Sequence, residues 1–298
     1  MEGKNAMTKY VGYIFILLSI MVVLYVAYMN SHYSTVTRTF SPYTLITSSW
    51  EIYKDKFMTR DGRVLDKTQG DVTTSEGQSY ALLRAVWVDD KDTFDMVWKW
   101  TKTNLKHEND SLFGWRWGKQ EDNAYGFMPG GGENAASDAD SDIALALILA
   151  SRRWEQKEYE VEAKNILKDI WERETTTAFN SRYLIAGEWA NREDSIIVNP
   201  SYFAPYAWRI FAQVDTQHDW ESLINPAYDL LEHVGNERLD KDKGVGLPPN
   251  WVQINKTDGN LSAPQISNLT TDYSYDAVRT PWRIALDYMW NKDPRALS

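Results

Sequence analysis

The chain has 298 residues, of which 43% are hydrophobic and 25% are charged, and its formal net charge is −10. This composition is typical of a globular protein and excludes wholesale disorder. The acidic balance argues against nucleic-acid binding, which depends on Lys and Arg neutralising phosphates, and the lack of cysteine excludes disulfides and thiolate chemistry.

An uncharged segment, Tyr10–Met29, lies near the N-terminus. As a helix rising about 1.5 Å per residue, it matches the roughly 30 Å hydrocarbon core of a membrane. A cleaved signal peptide is the alternative, but its apolar core is normally shorter, about 7–15 residues. Ala27-Tyr28-Met29 is also a poor cleavage site. We therefore predict a transmembrane anchor over residues 10–29.

The charges before this segment predict its orientation. Lys4 and Lys9 precede it, so the positive-inside rule makes residues 1–9 a cytoplasmic tail and places everything after Asn30 outside the cell. Residues 30–38 are polar and predict a short stalk, and residues 39–298 contain no interdomain linker. The sequence thus predicts a single-pass membrane protein with one exterior domain.

Helical periodicity dominates the exterior part. Apolar residues spaced near 3.6 predict a helix over residues 40–57. Ser75 and Asp92 are expected to cap the next two helices, which run to about Val88 and Leu105. Further helices are predicted at 142–154, 159–174, 205–214, 220–234 and 276–290, with short strands at 183–186 and 195–198. These eight helices and the long loops 107–137 and 239–275 predict an α-dominated α/α architecture whose loops carry the site.

Three polar clusters interrupt these patterns: Thr73–Tyr80 (TTSEGQSY), Ala136–Asp142 (ASDADSD) and Thr271–Arg279 (TDYSYDAVR). Taken singly, each has a structural explanation: an N-cap with a first-turn glutamate, a capped helix start, and a surface ion pair at i,i+3. The second cluster is not a calcium loop, because Ile143 stands where that loop needs glycine and Leu149 where it needs glutamate.

Taken together, the clusters indicate a glycosidase. Cleaving a glycosidic bond needs one carboxyl group that donates a proton to the leaving oxygen and a second that activates water or attacks the sugar. The chain also has 14 Trp and 17 Tyr, and rings that would stack on pyranose faces lie beside the carboxylates in sequence. No metal is expected, because the four histidines show no ligand spacing, and acid–base cleavage requires no cofactor.

The clusters resemble segments of glycoside hydrolase family 8, which includes cellulases of bacterial cellulose operons. SEGQSYALLRAV is similar to the family's opening helix, and ASDADSDIALALILASRRW matches its signature without a mismatch. NPSYFAPYAWRIF and SYDAVRTPWRIALDYMW are also similar to family segments, so the resemblance extends from about residue 40 to the end of the sequence. It implies an (α/α)6 barrel with an open groove and inverting hydrolysis of β-1,4-linked glucan, xylan or chitosan.

The resemblance implies roles for three carboxylates. Glu76 in the S-E-G motif would be the general acid, and Asp276 in the Y-D-A-x-R motif would be the general base. Asp138, the first aspartate of the signature, would hold the sugar at the cleavage point. Asp138 is also the alternative base, since not all members take their base from the Y-D-A-x-R position. In an inverting enzyme the carboxyl groups of the acid and the base lie about 6.5–9.5 Å apart.

Other positions carry over as supporting residues. Arg279 would orient the base, and Tyr202 is a candidate partner for the attacking water. The sugar platforms implied by the resemblance are Trp115, Trp117 and Tyr275. Asp140 and Asp142 are expected to cap their helix and to be structural.

The sequence departs from the family pattern after the third cluster. Family members carry several more helices beyond the Y-D-A-x-R motif, whereas 22 residues follow Asp276 here. The eight predicted helices also fall short of the twelve in a closed barrel. We therefore expect either a barrel that is incomplete at its C-terminal end or further helices that the periodicity does not reveal.

The favoured function is a membrane-anchored, endo-acting polysaccharide hydrolase that trims an exopolysaccharide during secretion, with the secretion machinery as its expected partner. The anchored form resembles the PssZ type of exopolysaccharide hydrolase, so an amino-sugar polymer is the alternative to cellulose-like glucan. A non-catalytic glycan-binding component of the secretion system is a second hypothesis, which the intact Glu76 and Asp276 oppose. A polysaccharide lyase is a third, which the acidic net charge opposes because lyases bind uronate polyanions.

Overall fold

The computed structural model describes residues 20–29, 41–241 and 243–297. The chain divides between Glu51 and Ile52 into two units. In the first unit, residues 20–29 form helix α1, whose side chains are mostly exposed. Within the part of the chain that the structure describes, no helix is both long and apolar enough to cross a membrane. The predicted tail, the stalk and residues 10–19 of the anchor lie outside the described residues, so the anchor stays a prediction.

Eight further helices follow among the described residues, and each corresponds to a predicted one. They are α2 (Pro42–Phe57), α3 (Ser75–Val88), α4 (Lys91–Asn104), α5 (Ser137–Trp154), α6 (Lys157–Arg173), α7 (Pro205–Val214), α8 (Ile224–Val234) and α9 (Thr280–Asn291). The helix expected from residue 220 begins as a 3-10 turn, Trp220–Leu223, before α8. The helix-rich fold is therefore confirmed.

The helices pack in two layers. Helices α3, α5, α7 and α9 form an inner row in which each helix packs against the next. Helices α4, α6 and α8 each pack against the inner helix that precedes them in sequence. This is the α/α arrangement that the sequence predicts, and the closed twelve-helix barrel stays a prediction for the whole protein.

Helix α5 lies at the centre of the hydrophobic core. Its IALALILA segment is apolar around the whole helix, and 14 of its 18 residues are buried. A helix that is hydrophobic on every side needs neighbours on every side, and α5 packs against α3, α6 and α7. The first two turns of α5 are thereby held inside the protein, although they carry three aspartates.

Three predicted helix starts are corrected by the structure. The N-cap of α3 is Thr74, whose hydroxyl accepts a hydrogen bond from the Gly77 amide at 3.0 Å, and not Ser75. The N-cap of α4 is Asp90, which accepts from the Thr93 amide at 3.1 Å, and not Asp92. In both cases the predicted residue already has helical geometry, so a residue one or two positions earlier provides the cap. Helix α5 begins at Ser137, not at Asp142.

Small antiparallel sheets occupy the segments between helices. One sheet contains β1 (Thr73–Thr74), β2 (Arg116–Lys119) and β3 (Tyr125–Phe127); the second contains β4 (Thr175–Ala178) and β5 (Ser181–Leu184); the third contains β6 (Ser195–Val198), β7 (Val252–Asn255) and β8 (Leu261–Ser262). The strand predicted at 195–198 is confirmed, and the one predicted at 183–186 lies two residues earlier. The two long loops of the prediction therefore contain hairpins, and β1 leads directly into α3.

Candidate active site

Glu76 lies in the first turn of α3, directly after the sheet that fixes the helix start. Thr74 pairs with Arg116 across β1 and β2, and the Ser75 amide donates to the Trp115 carbonyl at 3.0 Å. The Glu76 side chain remains about one third exposed, at 34%. A carboxylate at this position interacts favourably with the N-terminal end of the helix dipole and is accessible to a ligand.

Asp138 lies in the first turn of α5 and is buried, with 2% of its side chain exposed. The residue at the N-cap is Ala136, which has no side-chain capping bond. The expectation that Asp140 and Asp142 cap the helix is therefore wrong: both lie inside it and both are buried. All three aspartates must find partners in other elements.

Asp276 precedes a short 3-10 turn, Ala277–Arg279, that leads into α9, and Arg279 is the last residue of this turn. Arg279 Nη2 contacts Asp276 Oδ1 at 2.9 Å, and its Nη1 contacts both Glu76 Oε2 and Asp138 Oδ2 at 2.9 Å. One guanidinium thus holds three carboxylates that come from three separate segments of the chain. The structure brings together the predicted acid, base and sugar-holding residue.

Three carboxylates around one guanidinium leave the cluster with an excess of negative charge. Burial raises the pKa of Asp138 to about 7, although Arg279 acts in the opposite direction. Burial also raises the pKa of Asp276, while Arg279 and the nearby polar groups of Trp251 and Asn199 lower it. Burial disfavours the charged form of Arg279, but Asp138 and Glu76 raise its pKa above the usual value, so it stays a cation.

Tyr202 lies beside this cluster and is buried. Its ring centroid is 5.2 Å from the Arg279 guanidinium carbon and 5.8 Å from the Trp251 ring. Burial and the Asp138 carboxylate raise the pKa of Tyr202 well above its ordinary value, so the phenol keeps its proton. A neutral phenol at this position can both donate and accept a hydrogen bond.

A second ion pair lies one helical turn behind the first. Arg283 contacts Asp142 through two hydrogen bonds, at 3.0 and 2.7 Å, and neither side chain has exposed surface. Asp138 and Asp142 are four residues apart on α5, and Arg279 and Arg283 are four residues apart at the start of α9. The two pairs therefore form a ladder of ion pairs between α5 and the α9 segment.

Sequence reasoning missed four residues around the cluster. Arg283 had a usable signal, because its spacing from Arg279 equals the spacing of Asp142 from Asp138. Trp251 and Asn199, which face Asp276, had no such signal. Glu174 is the last: it is buried behind the aspartates, and burial and the nearby Asp140 carboxyl group raise its pKa.

The three aromatic residues predicted to stack on sugars do not lie together in the structure. Tyr275 is adjacent to Asp276 and is 83% exposed. Trp115 is 37% exposed, and its Nε1 donates to the Gly131 carbonyl at 2.8 Å. The ring of Trp117 stacks on Tyr125 and contacts Trp100 and Arg63 instead, so the structure does not bring this ring into the carboxylate cluster.

No group of three or more His, Cys, Asp or Glu side chains with the geometry of a metal site occurs among the described residues. Arg279 occupies the centre of the acidic cluster, where a cation would otherwise balance the carboxylates. The groups that converge at this site are carboxyl groups, a phenol and a guanidinium.

The family model for glycosyl hydrolases family 8 matches residues 14–297 of the chain. The chain belongs to glycosyl hydrolase family 8. The recognition that rested on the three polar clusters is confirmed at the level of the family.

Family 8 relatives are similar over most of the chain. An endoglucanase of Cellulomonas uda is 32% identical over 239 residues, which is 80% of this chain and 63% of the relative. An endoglucanase of Escherichia coli K12 is 31% identical and is covered over 61% of its length. The chain thus spans about half to two thirds of the length of the curated relatives it matches.

Solved structures show the same fold. An endoglucanase from Komagataeibacter sucrofermentans matches with a TM-score of 0.72 and 27% identity, over 85% of this chain and 75% of that one. The endo-beta-1,4-glucanase CMCax from Acetobacter xylinum matches with a TM-score of 0.71 and 29% identity over the same shares of both chains. These similarities confirm the helix-rich family 8 fold.

Proposed function

We propose that the chain is an endo-acting hydrolase of β-1,4-linked glucan that works by inverting acid–base catalysis. The observation that carries this proposal is the convergence of Glu76, Asp138 and Asp276 on the Arg279 guanidinium. Relatives named endoglucanases support glucan as the substrate class, and the similar endo-beta-1,4-glucanase from Acetobacter xylinum supports the β-1,4 linkage.

Glu76 is the proposed general acid. Its carboxyl group is partly exposed, whereas Asp138 is buried, so Glu76 can reach the oxygen that links two sugars. In its protonated form it gives its proton to this leaving oxygen while the bond from that oxygen to the anomeric carbon breaks. The departing part of the chain leaves as an alcohol, and Glu76 is left as a carboxylate.

Asp276 is the proposed general base. It accepts a proton from a water molecule whose oxygen attacks the anomeric carbon from the face opposite the leaving group. Arg279 favours the ionised form of Asp276 and fixes it at 2.9 Å. Tyr202, whose ring centroid lies 5.2 Å from the same guanidinium, is the proposed partner for this water, and Asp138 is the proposed residue that holds the sugar at the cleavage point.

The proposal is tested with reducing-end release from β-1,4-glucan, xylan, chitosan and the native exopolysaccharide. We expect the chain to cut β-1,4-glucan and Glu76→Gln to lose about 10²–10⁴-fold in rate, because the amide cannot donate a proton in the same way. Glu193→Gln, at an exposed position, is the matched control and should remain active.

The stereochemistry tests the mechanism separately. Inversion at a β-linkage releases a product that is first α-anomeric, which NMR of fresh hydrolysate detects; a β-anomeric product would refute inversion. If neither protein cuts any polymer but the wild type binds glucan, the chain is a non-catalytic glycan-binding component.

We further propose that residues 10–29 anchor the enzyme in the cell membrane with its catalytic part outside, where it trims an exopolysaccharide during secretion. The uncharged segment and the preceding Lys4 and Lys9 support this location. In fractionated cells, we expect the full chain in the membrane and a version starting at Ser31 in the soluble fraction. Cells that lack the protein should make polymer of altered chain length; unchanged polymer would contradict the trimming role.

A further inference from the structure

A cleft of about 800 Å³ lies between the β2–β3 hairpin, helix α4 and the segment around Arg63. None of the residues that line it belongs to the carboxylate cluster. Thr73 and Trp117 are register partners and share one face of the sheet, while Thr74, which leads into the helix of Glu76, pairs with Arg116 and belongs to the other face. The cleft is therefore distinct from the proposed catalytic centre.

The cleft contains an aromatic platform. The Trp117 and Tyr125 rings stack at 5.2 Å with an interplanar angle of 25°, and Trp100 meets the Trp117 ring edge-on at 5.1 Å. Tyr125 nevertheless remains 57% exposed. Because the Trp117 ring stacks against one face of the Tyr125 ring, the Tyr125 ring offers a flat apolar surface of fixed orientation to solvent.

Hydrogen-bond donors and acceptors surround this platform. The Arg63 guanidinium lies 4.8 Å from the Trp117 ring centroid and 5.3 Å from that of Tyr125. Lys99, Thr103 and Asp61 also line the cleft and are exposed. A flat ring flanked by donors and acceptors, with two cations offset by a carboxylate, fits a neutral polyhydroxylated ring better than a polyanion.

We propose that this cleft is a second glycan-binding site that holds a β-1,4-glucan chain outside the catalytic centre. The choice of glucan rests on the proposed function. The site stacks one glucose ring on Tyr125 and hydrogen-bonds its hydroxyls through Arg63, Lys99 and Asp61. It increases retention on long polymer without taking part in cleavage.

The test separates binding from cleavage. Binding is measured with the full chain carrying Glu76→Gln, by affinity electrophoresis in soluble β-1,4-glucan and by retention on insoluble cellulose. Adding Tyr125→Ala should weaken binding about tenfold. Thr103→Arg, which fills the cleft from an exposed position, should do the same. Trp87→Ala removes a ring that is 46% exposed and lies outside the cleft, and it should bind normally.

Turnover is measured in the otherwise wild-type chain. Tyr125→Ala should keep its kcat on cellohexaose within about twofold while losing rate on insoluble cellulose. Unchanged glucan binding in both cleft variants would overturn the proposal, and so would binding only to an anionic polysaccharide. An equal loss on cellohexaose would make the cleft part of the catalytic groove. If the wild type cut no glucan, the binding measurements would still decide whether the cleft binds it.

Discussion

Two substitutions one helical turn apart on α5 are expected to have opposite effects on stability. Asp138 shares Arg279 with two other carboxylates, whereas Asp142 has Arg283 as its own partner. Replacing Asp138 with Asn removes a surplus negative charge, while replacing Asp142 with Asn leaves a buried guanidinium without its counter-ion. Both changes preserve side-chain shape.

The pKa of Asp138 gives the size of the first effect. Burial raises it from 3.8 to about 7, so the folded protein holds this proton more tightly than the unfolded chain does. The protonated Asp138 therefore stabilises the folded protein at pH 4, and this stabilisation is lost as the pH rises to about 7. The difference between the folded and unfolded pKa of Asp138 corresponds to a loss of about 4 kcal/mol in the free energy of unfolding above pH 7. The Asn amide adds unpaired N–H donors, which cost about 1–3 kcal/mol, so the expected gain is about 1–3 kcal/mol.

The matched substitution should destabilise at every pH. Removing one partner of a buried ion pair typically costs about 3–5 kcal/mol, and the Asp142–Arg283 pair has no exposed side-chain surface. Asp142→Asn therefore tests whether the gain at Asp138 comes from the charge imbalance of its cluster or from any loss of a carboxylate.

Thermal unfolding followed by circular dichroism between pH 4 and pH 8 measures both effects. Asp138→Asn should raise the melting temperature by several degrees at pH 8 and lower it by several degrees at pH 4, where the carboxyl group is already protonated and only the cost of the amide remains. A loss of stability at pH 8, or a gain that does not depend on pH, would refute the charge-imbalance argument. A gain for Asp142→Asn would refute the assigned pairing.

Two further predictions concern groups behind and beside the site. Glu174 and Asp140 are buried close to each other, and burial raises the pKa of both carboxyl groups well above their ordinary values, so the wild type should lose stability as the pH rises from the ordinary carboxyl range to neutral and above. Glu174→Gln keeps a donor that does not titrate, and its melting temperature should fall less over that interval; an equal fall would exclude the pair as the cause. Thr74→Ala should cost about 1 kcal/mol in the free energy of unfolding, because the N-cap of α3 is lost. Ser75→Ala is its control, since the Ser75 hydroxyl has no hydrogen-bond partner; urea titration that gave equal losses would contradict this cap.

Local sequence determined the helices of this protein. Helix formation depends on apolar spacing and on propensities within about a dozen residues, so all eight predicted helices of the exterior part appear. Cap positions were less well determined, because Thr74 and Ser75, or Asp90 and Asp92, are chemically equivalent and only backbone geometry chooses between them. The hairpins in the long loops were missed, since strands of two to four residues carry too little periodicity.

The motifs also predicted which carboxylates lie together, but only the tertiary structure decided how they are paired. Arg279 and Asp138 lie 141 positions apart in sequence, and their contact exists because α5 and the α9 segment meet in the core. The same packing turned Asp142 from an expected cap into a buried ion pair, and placed the Trp117 ring in a cleft apart from the carboxylates. Burial sets the charge state of each carboxyl group, and it depends on neighbours from distant segments, which a linear pattern does not specify.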